Sequence, residues 1–217
     1  MNTALIIGAT GLVGSHLLNI LLNDTMFEKI KVFTRKPTGK KDNKLEEFII
    51  DFDKMQEWAY HLSGDVLFSA LGTTLKKAGS KDAQYKIDFS YQYNVADRAA
   101  QNGVNTYVLV SSAGANSRSK VFYSRIKGEL EDAAGKLTFK SIRILQPGIL
   151  DGERPESRPV EKLAISVARG LIHIPGLKRF RPIHADTVAK AMINACVDKT
   201  AGVRKYTLEE VFKLASG

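Results

Sequence analysis

The segment Ile6–Gly14, IIGATGLVG, sets glycines at Gly8, Gly11 and Gly14 directly behind a short apolar run. Glycine weakens helices and strands alike, so a turn this rich in it has a use for missing side chains. A strand that ends in such a turn and continues into an amphipathic helix brings backbone N–H groups close to a pyrophosphate. The helix N-terminus then adds its partial positive charge. The spacing is GxxGxxG rather than GxGxxG, and with 17 glycines in the chain the pattern alone is weak. Its position between a strand and a helix is the stronger argument. Gly8, Thr10, Gly11, Leu12, Val13 and Gly14 are therefore expected against a dinucleotide.

The rest of the chain repeats the same alternation. Short, β-branched, continuously apolar runs at 4–9, 29–35, 46–51, 65–71, 106–112 and 139–147 read as strands buried on both faces. Helical patterns fall between them at 12–23, 53–62, 82–102 and 121–135, and again at 160–171, 185–198 and 207–215. This order predicts an α/β fold: a doubly wound, mostly parallel sheet with helices on both faces and a small C-terminal helical addition. One link departs from it. The stretch KPTGKKDNKL, about ten residues, is too short for a crossover helix and is expected as a loop. With no repeats and no linker, residues 1–217 form one domain, and 150–183 form a small pocket extension within it.

Composition narrows the partners. No apolar run reaches the roughly 20 residues of a membrane span, and no secretory leader is evident. Cys196 is the single cysteine, which fits a reducing, cytoplasmic setting and a buried, inert thiol. The four histidines lack metal-ligand spacing, so no metal is expected. The net charge of +9 comes from clusters at 35–44, 75–77 and 178–181, far apart and with almost no stacking aromatics. They read as solvated surface and an anionic-ligand site rather than as a nucleic-acid surface.

The end of the second strand bears on which dinucleotide binds. An NAD site usually has an acidic residue there for the ribose 2′-hydroxyl. Here Thr34 is followed by Arg35 and Lys36, which suit a 2′-phosphate and favour NADP(H) over NAD(H). Asp51 and Phe52, ending the third strand, are expected beside the adenine. Ala70, Leu71 and Gly72, ending the fourth, would let the cofactor pass closely.

The strongest chemistry lies in VLVSSAGANSRSKVFYSRIKGELE. Tyr123 and Lys127 share a helix face at i, i+4, and the lysine's charge favours release of the phenolic proton. Ser111 and Ser112 end the fifth strand beside the expected nicotinamide position, where the Ser112 hydroxyl would hold a substrate carbonyl. A YxxxK pair alone arises by chance in chains of this composition. Its place directly after the Ser-Ser strand end is what carries the reading.

Taken together, GATGLVG, ALGTT, Asn94, VSSAG, YSRIKGELE and QPGIL stand in the order seen in short-chain dehydrogenase/reductases. The chain resembles the atypical, compact members of that family, over nearly its whole length. The resemblance implies an active-site trio of Ser112, Tyr123 and Lys127, with Lys127 also on the nicotinamide ribose and Asn94 supporting the lysine. It further implies Pro147 and Gly148 at the nicotinamide carboxamide and Arg35 at the 2′-phosphate, and it is compatible with a homodimer. The implied reaction is NADPH-dependent reduction of a small carbonyl compound. Two other readings stay open: an NADP(H)-binding regulator or scaffold with little turnover, and a nucleotide-sugar epimerase or dehydratase. The chain after Pro147 is short for the substrate domain of the last.

Overall fold

A computed structural model of the chain describes residues 2–151, 181–198 and 200–217. The first strand, β1 (Asn2–Ile7), is buried on both faces from Ala4 onward. Its side chains alternate as a pleat requires: Ala4 and Ile6 enter one core, Leu5 and Ile7 the other. Around it pair β2 (Phe27–Thr34), β3 (Leu45–Ile49), β4 (Val66–Ser69), β5 (Thr106–Val110), β6 (Ser141–Gln146) and β9 (Gly202–Thr207). All six pairings are parallel, in the order β3-β2-β1-β4-β5-β6-β9. Two-residue strands β7 (Leu150–Asp151) and β8 (Ile183–His184) form a separate parallel pair.

Helix α1 (Leu12–Asn23) buries Val13, Leu17, Leu18 and Leu21 on one stripe against the first face of the sheet. On the same core lie α6 (Ala185–Val197) and α7 (Glu209–Ser216). The opposite face is covered by a composite helix and by α5 (Phe122–Ala134). Short helical turns α2 (Leu75–Ala78) and α3 (Lys81–Tyr85) lead into the composite element. There a π turn over Lys86–Ser90 runs directly into α4 (Tyr91–Gln101). The fold is the expected doubly wound α/β sheet. Its chain order reverses between β1 and β4, which opens a crevice at their carboxyl ends.

Several local expectations are corrected. The helix at 53–62 is instead two 3₁₀ turns, Phe52–Glu57 and Ala59–His61. Lys54 (φ −112°, ψ 44°) breaks the helix there, and the Trp58 Nε1–H donates to the Asp51 carbonyl at 2.8 Å. The C-terminal addition is not purely helical, because β9 extends the sheet before the last helix. The helix at 160–171 and most of the 150–183 extension lie outside the described residues. The link after β2 is a loop, as anticipated, and it ends at Lys44, with Leu45 already in β3. Among the described residues no helix is long and apolar enough to cross a membrane.

Candidate active site

The glycine turn closes with the Gly11 N–H donating to the Gly8 carbonyl at 2.9 Å. Gly8 has φ +84°, and a Cβ there would overlap the Ala70 carbonyl carbon and the Leu71 nitrogen. A Cβ on Gly14 would overlap the Gly8 carbonyl in turn. The glycines thus let the β1 turn, the β4 end and α1 meet backbone to backbone. No side chain caps α1, and its first turn holds no acidic residue. Its first N–H groups are left to satisfy an outside acceptor, and an anion there also meets the positive end of the helix.

That acceptor site opens into a cavity of about 1270 Å³ at the carboxyl ends of the strands. Thr10, Gly11, Leu12 and Val13 line one end, and Ala70, Leu71 and Gly72 line the adjoining wall. Ser111, Ser112, Tyr123, Lys127, Pro147 and Gly148 line the other end. A smaller concavity of about 450 Å³ lies among Lys40–Asn43, Leu45 and Glu47, away from all of these groups.

Tyr123, Lys127 and Glu131 recur every four residues along α5 and so share one face. Tyr123 stands at the rim, 39% exposed, whereas Lys127 is buried at 3% with its Nζ 6.0 Å from the tyrosine ring centroid. Ser112 ends the neighbouring β5 segment, and its hydroxyl donates at 3.4 Å to the Ala113 carbonyl. Tyr123, Lys127 and Ser112 therefore face one space from two elements.

Asn94 does not join them. It is exposed on α4 and absent from the cavity wall. The π turn widens the helix one turn earlier and puts Asp88 there instead, fully buried. Asp88 Oδ1 accepts from the Thr73 N–H at 2.8 Å and Oδ2 from Gln84 Nε2 at 3.2 Å. A Cβ built on Gly72 would lie 3.3 Å from Asp88 Oδ1 and 3.8 Å from Lys127 Nζ, so carboxylate and ammonium flank the same glycine. Gln92 completes the stripe, donating to the Asp88 carbonyl at 2.8 Å and accepting from Ser69 Oγ at 2.7 Å.

Six further expected residues also lie off the cavity wall: Gly8 and Gly14, which form the turn behind it, and Arg35, Lys36, Asp51 and Phe52. Arg35 and Lys36 are exposed at the end of β2, on the same carboxyl edge as the glycine turn, where Thr34 Oγ1 donates to the Lys36 carbonyl at 2.9 Å. Asp51 is exposed, and its carboxylate caps the 3₁₀ turn by accepting from the Asp53 N–H at 3.0 Å. Phe52 is buried, stacked 5.0 Å from Tyr91 and edge-on to Trp58, so its ring serves the core rather than an adenine. Sequence reasoning missed Gln84, Asp88 and Glu131. Their signature was legible as polar residues at i, i+4, i+8: 84, 88 and 92 along the successive turns of α3, the π turn and α4, and 123, 127 and 131 on α5.

A family model described as NAD(P)H-binding matches residues 8–137, which contain the glycine turn, Asp88, Ser112, Tyr123 and Lys127. The chain belongs to this NAD(P)H-binding family. It is also 38% identical to protein fmp52-1, mitochondrial, of Aspergillus terreus, over 99% of this chain and 95% of that protein. With protein FMP52-1, mitochondrial, of Scheffersomyces stipitis it shares 36% identity over 89% and 87%. Among solved structures it resembles MoeE5 in complex with UDP-glucose and NAD (TM-score 0.69, 16% identity, all of this chain and 81% of that one). It resembles a UDP-glucose 4-epimerase of Thermotoga maritima similarly (TM-score 0.68, 18% identity, 99% and 81%). At these identities the likeness is one of fold.

The names of the relatives correct the cytoplasmic expectation, since proteins 36–38% identical over most of the chain are called mitochondrial. Cys196 shows why composition misled. Its thiol is buried and pushed up to about 12, by burial first and then by the Asp24 charge. A lone inert thiol fits any reducing surrounding and does not choose between compartments.

Proposed function

We propose that this protein is an NADPH-dependent oxidoreductase that reduces a small carbonyl compound, working in mitochondria as its named relatives suggest. The observation that carries the reading is the convergence of Ser112, Tyr123 and Lys127 on the cavity that begins at the glycine turn. The turn fits a dinucleotide: uncapped N–H groups at the α1 N-terminus would hold the pyrophosphate, in a cradle that side chains on Gly8 and Gly14 would destroy. Arg35 and Lys36, exposed on the same edge, would hold a 2′-phosphate. Lys127 would hold the nicotinamide ribose, and the Pro147–Gly148 turn the carboxamide.

When bound, the nicotinamide supplies the hydride that reaches the carbonyl carbon. The chain manages the oxygen. Ser112 Oγ donates a hydrogen bond to it, and Tyr123 Oη delivers the proton as negative charge develops there. The buried Lys127 ammonium stabilises the phenolate left behind, and the partly exposed Tyr123 regains its proton from solvent. In oxidation the same groups act in reverse.

The test is NADPH consumption over a panel of aldehydes, ketones and quinones, wild type against Tyr123→Phe. The variant is expected to bind NADPH with unchanged affinity and to lose about 10²–10⁴-fold in turnover, the usual worth of a general acid. If wild type binds NADPH and reduces nothing on the panel, the reductase reading fails and a cofactor-binding regulator takes its place. In the same assay Arg35→Ala is expected to weaken NADPH about tenfold, roughly 1.4 kcal/mol, and to leave NADH unchanged. Equal losses for both nucleotides would remove the 2′-phosphate role.

A further inference from the structure

Glu131 lies beneath the relay, one turn beyond Lys127, with its side chain only 1% exposed. A carboxylate in such a place is costly unless donors surround it, and an apolar residue would serve a core equally well. Four hydrogen bonds from three donors converge on it. Ser111 Oγ donates at 2.5 Å, Gln146 Nε2 at 2.8 and 3.0 Å to the two oxygens, and Lys205 Nζ at 2.7 Å. These donors belong to three neighbouring segments of the sheet: the end of β5, the end of β6, and β9. Ser111 is itself a residue of the cavity wall, Gln146 directly precedes Pro147 of that wall, and Lys205 stands three residues before its Leu208. Backbone bonds tie the same ends together, from Ala113 N–H to the Pro147 carbonyl at 2.8 Å and from Leu208 N–H to the Gln146 carbonyl at 3.1 Å.

We propose that Glu131 is a positioning residue for the active site. Through Ser111, Gln146 and Lys205 it sets the height of Tyr123 and Lys127 on α5 against Ser112 and the Pro147–Gly148 turn, and it makes docking of β9 a condition of that alignment. Four residues along α5 separate Tyr123 from Lys127 and another four separate Lys127 from Glu131, so a shift at the Glu131 anchor moves the whole row. Misplacement of about 1 Å is enough to cost about 10²-fold in rate. The catalytic consequence rests on the reductase reading above; the alignment itself does not.

Two measurements on Glu131→Leu, Glu131→Gln and Lys205→Met separate the two. In the first, amide hydrogen exchange is compared with wild type. Exchange at Ala113 and Leu208 is expected to speed by about tenfold in Glu131→Leu, less in Glu131→Gln, with β1–β4 amides unchanged. Uniform acceleration across the sheet, or none at Ala113 and Leu208, overturns the alignment role. The second is single-turnover hydride transfer with NADPH affinity measured alongside. Glu131→Leu is expected to keep affinity within about threefold while the rate falls about 10–100-fold, and the glutamine variant to recover part of it. Lys205→Met is expected to add little once Glu131 is gone. A wild-type rate in Glu131→Leu, or a rate loss that only tracks lost folded fraction, overturns the positioning role. If Glu131→Leu does not fold, Glu131→Gln and Lys205→Met carry both measurements. A wild type with no turnover leaves the exchange result to decide alignment, and sinks only the reductase reading.

Discussion

The two ends of the cavity are built by opposite means. At the glycine turn the wall is backbone, and what matters is the absence of atoms: Gly8 and Gly14 leave room in which β1, β4 and α1 touch. Around Tyr123 the wall is side chain, and what matters is the presence of charge: Lys127, Asp88 and Glu131 are all nearly or fully buried. A backbone site binds a group common to many dinucleotides and is broken by adding a methyl. A side-chain site performs chemistry and is broken by removing one. The difference predicts which substitutions each end tolerates.

The largest effect belongs to the backbone end. Gly14→Val is expected to destabilise the protein by more than about 3 kcal/mol, because a Cβ there overlaps the Gly8 carbonyl and neither backbone can yield. Chemical denaturation reads this directly. A folded Gly14→Val protein with wild-type stability and NADPH affinity would remove the close-approach argument for the turn.

That asymmetry also explains what was legible in the sequence. The glycine turn, α1 and the buried parallel strands announce themselves by composition and periodicity, and Tyr123 and Lys127 by spacing on one helix face. Asp88 and Glu131 look like ordinary polar helix residues until their i, i+4 neighbours are followed, and Asn94, given a role by resemblance alone, lies exposed on α4. Strand β9 was invisible for another reason. It is an edge strand with only Tyr206 buried, so GVRKYT carries no apolar pattern. Phe52 followed the core because a 3₁₀ turn replaced the helix expected there.

A middle-sized effect tests whether Asp88 belongs with the backbone end, from which it hangs by Thr73, or with the relay it faces. Asp88→Asn keeps an acceptor for the Thr73 N–H but removes the charge beside Lys127 and one partner of Gln84. A loss of about 1–2 kcal/mol in stability is expected, with about a tenfold fall in kcat at little change in NADPH affinity. If affinity falls and kcat holds, Asp88 serves the cofactor wall alone.

The smallest effect concerns acid, and it sharpens the comparison further. Asp198 sits at the foot of β6 and β9, the opposite end of these strands from Glu131. Its carboxylate accepts from the Thr200 N–H at 3.0 Å, the Thr200 hydroxyl at 2.8 Å and the Tyr206 hydroxyl at 3.0 Å. The wholly buried Arg143 guanidinium lies 3.4 Å away. These bonds, the Thr200 backbone foremost, hold the carboxyl well below the ordinary carboxylate range against the opposing effect of burial. Glu210 is lowered likewise, first by the Thr207 N–H at 2.8 Å. A depressed carboxyl stabilises the fold fully above its unfolded value, near pH 4, and loses that contribution as pH falls below it. The other lowered carboxyls, Asp53 bonded to Lys86 and Asp186 beside Lys190, pair with lysines at the exposed surface, where solvent screens them. Acid should therefore loosen β9 and α7 before β1 and β4. Hydrogen exchange followed from about pH 5 to about pH 2, corrected for the intrinsic rate, is expected to show β9 amides losing protection first, and the stability gap between wild type and Asp198→Asn to hold above about pH 4 and to narrow progressively below it. Simultaneous loss in β1 and β9 would mean that the two ends of the cavity share one acid-sensitive unit, and that β9 is not the separable part that the Glu131 anchor requires.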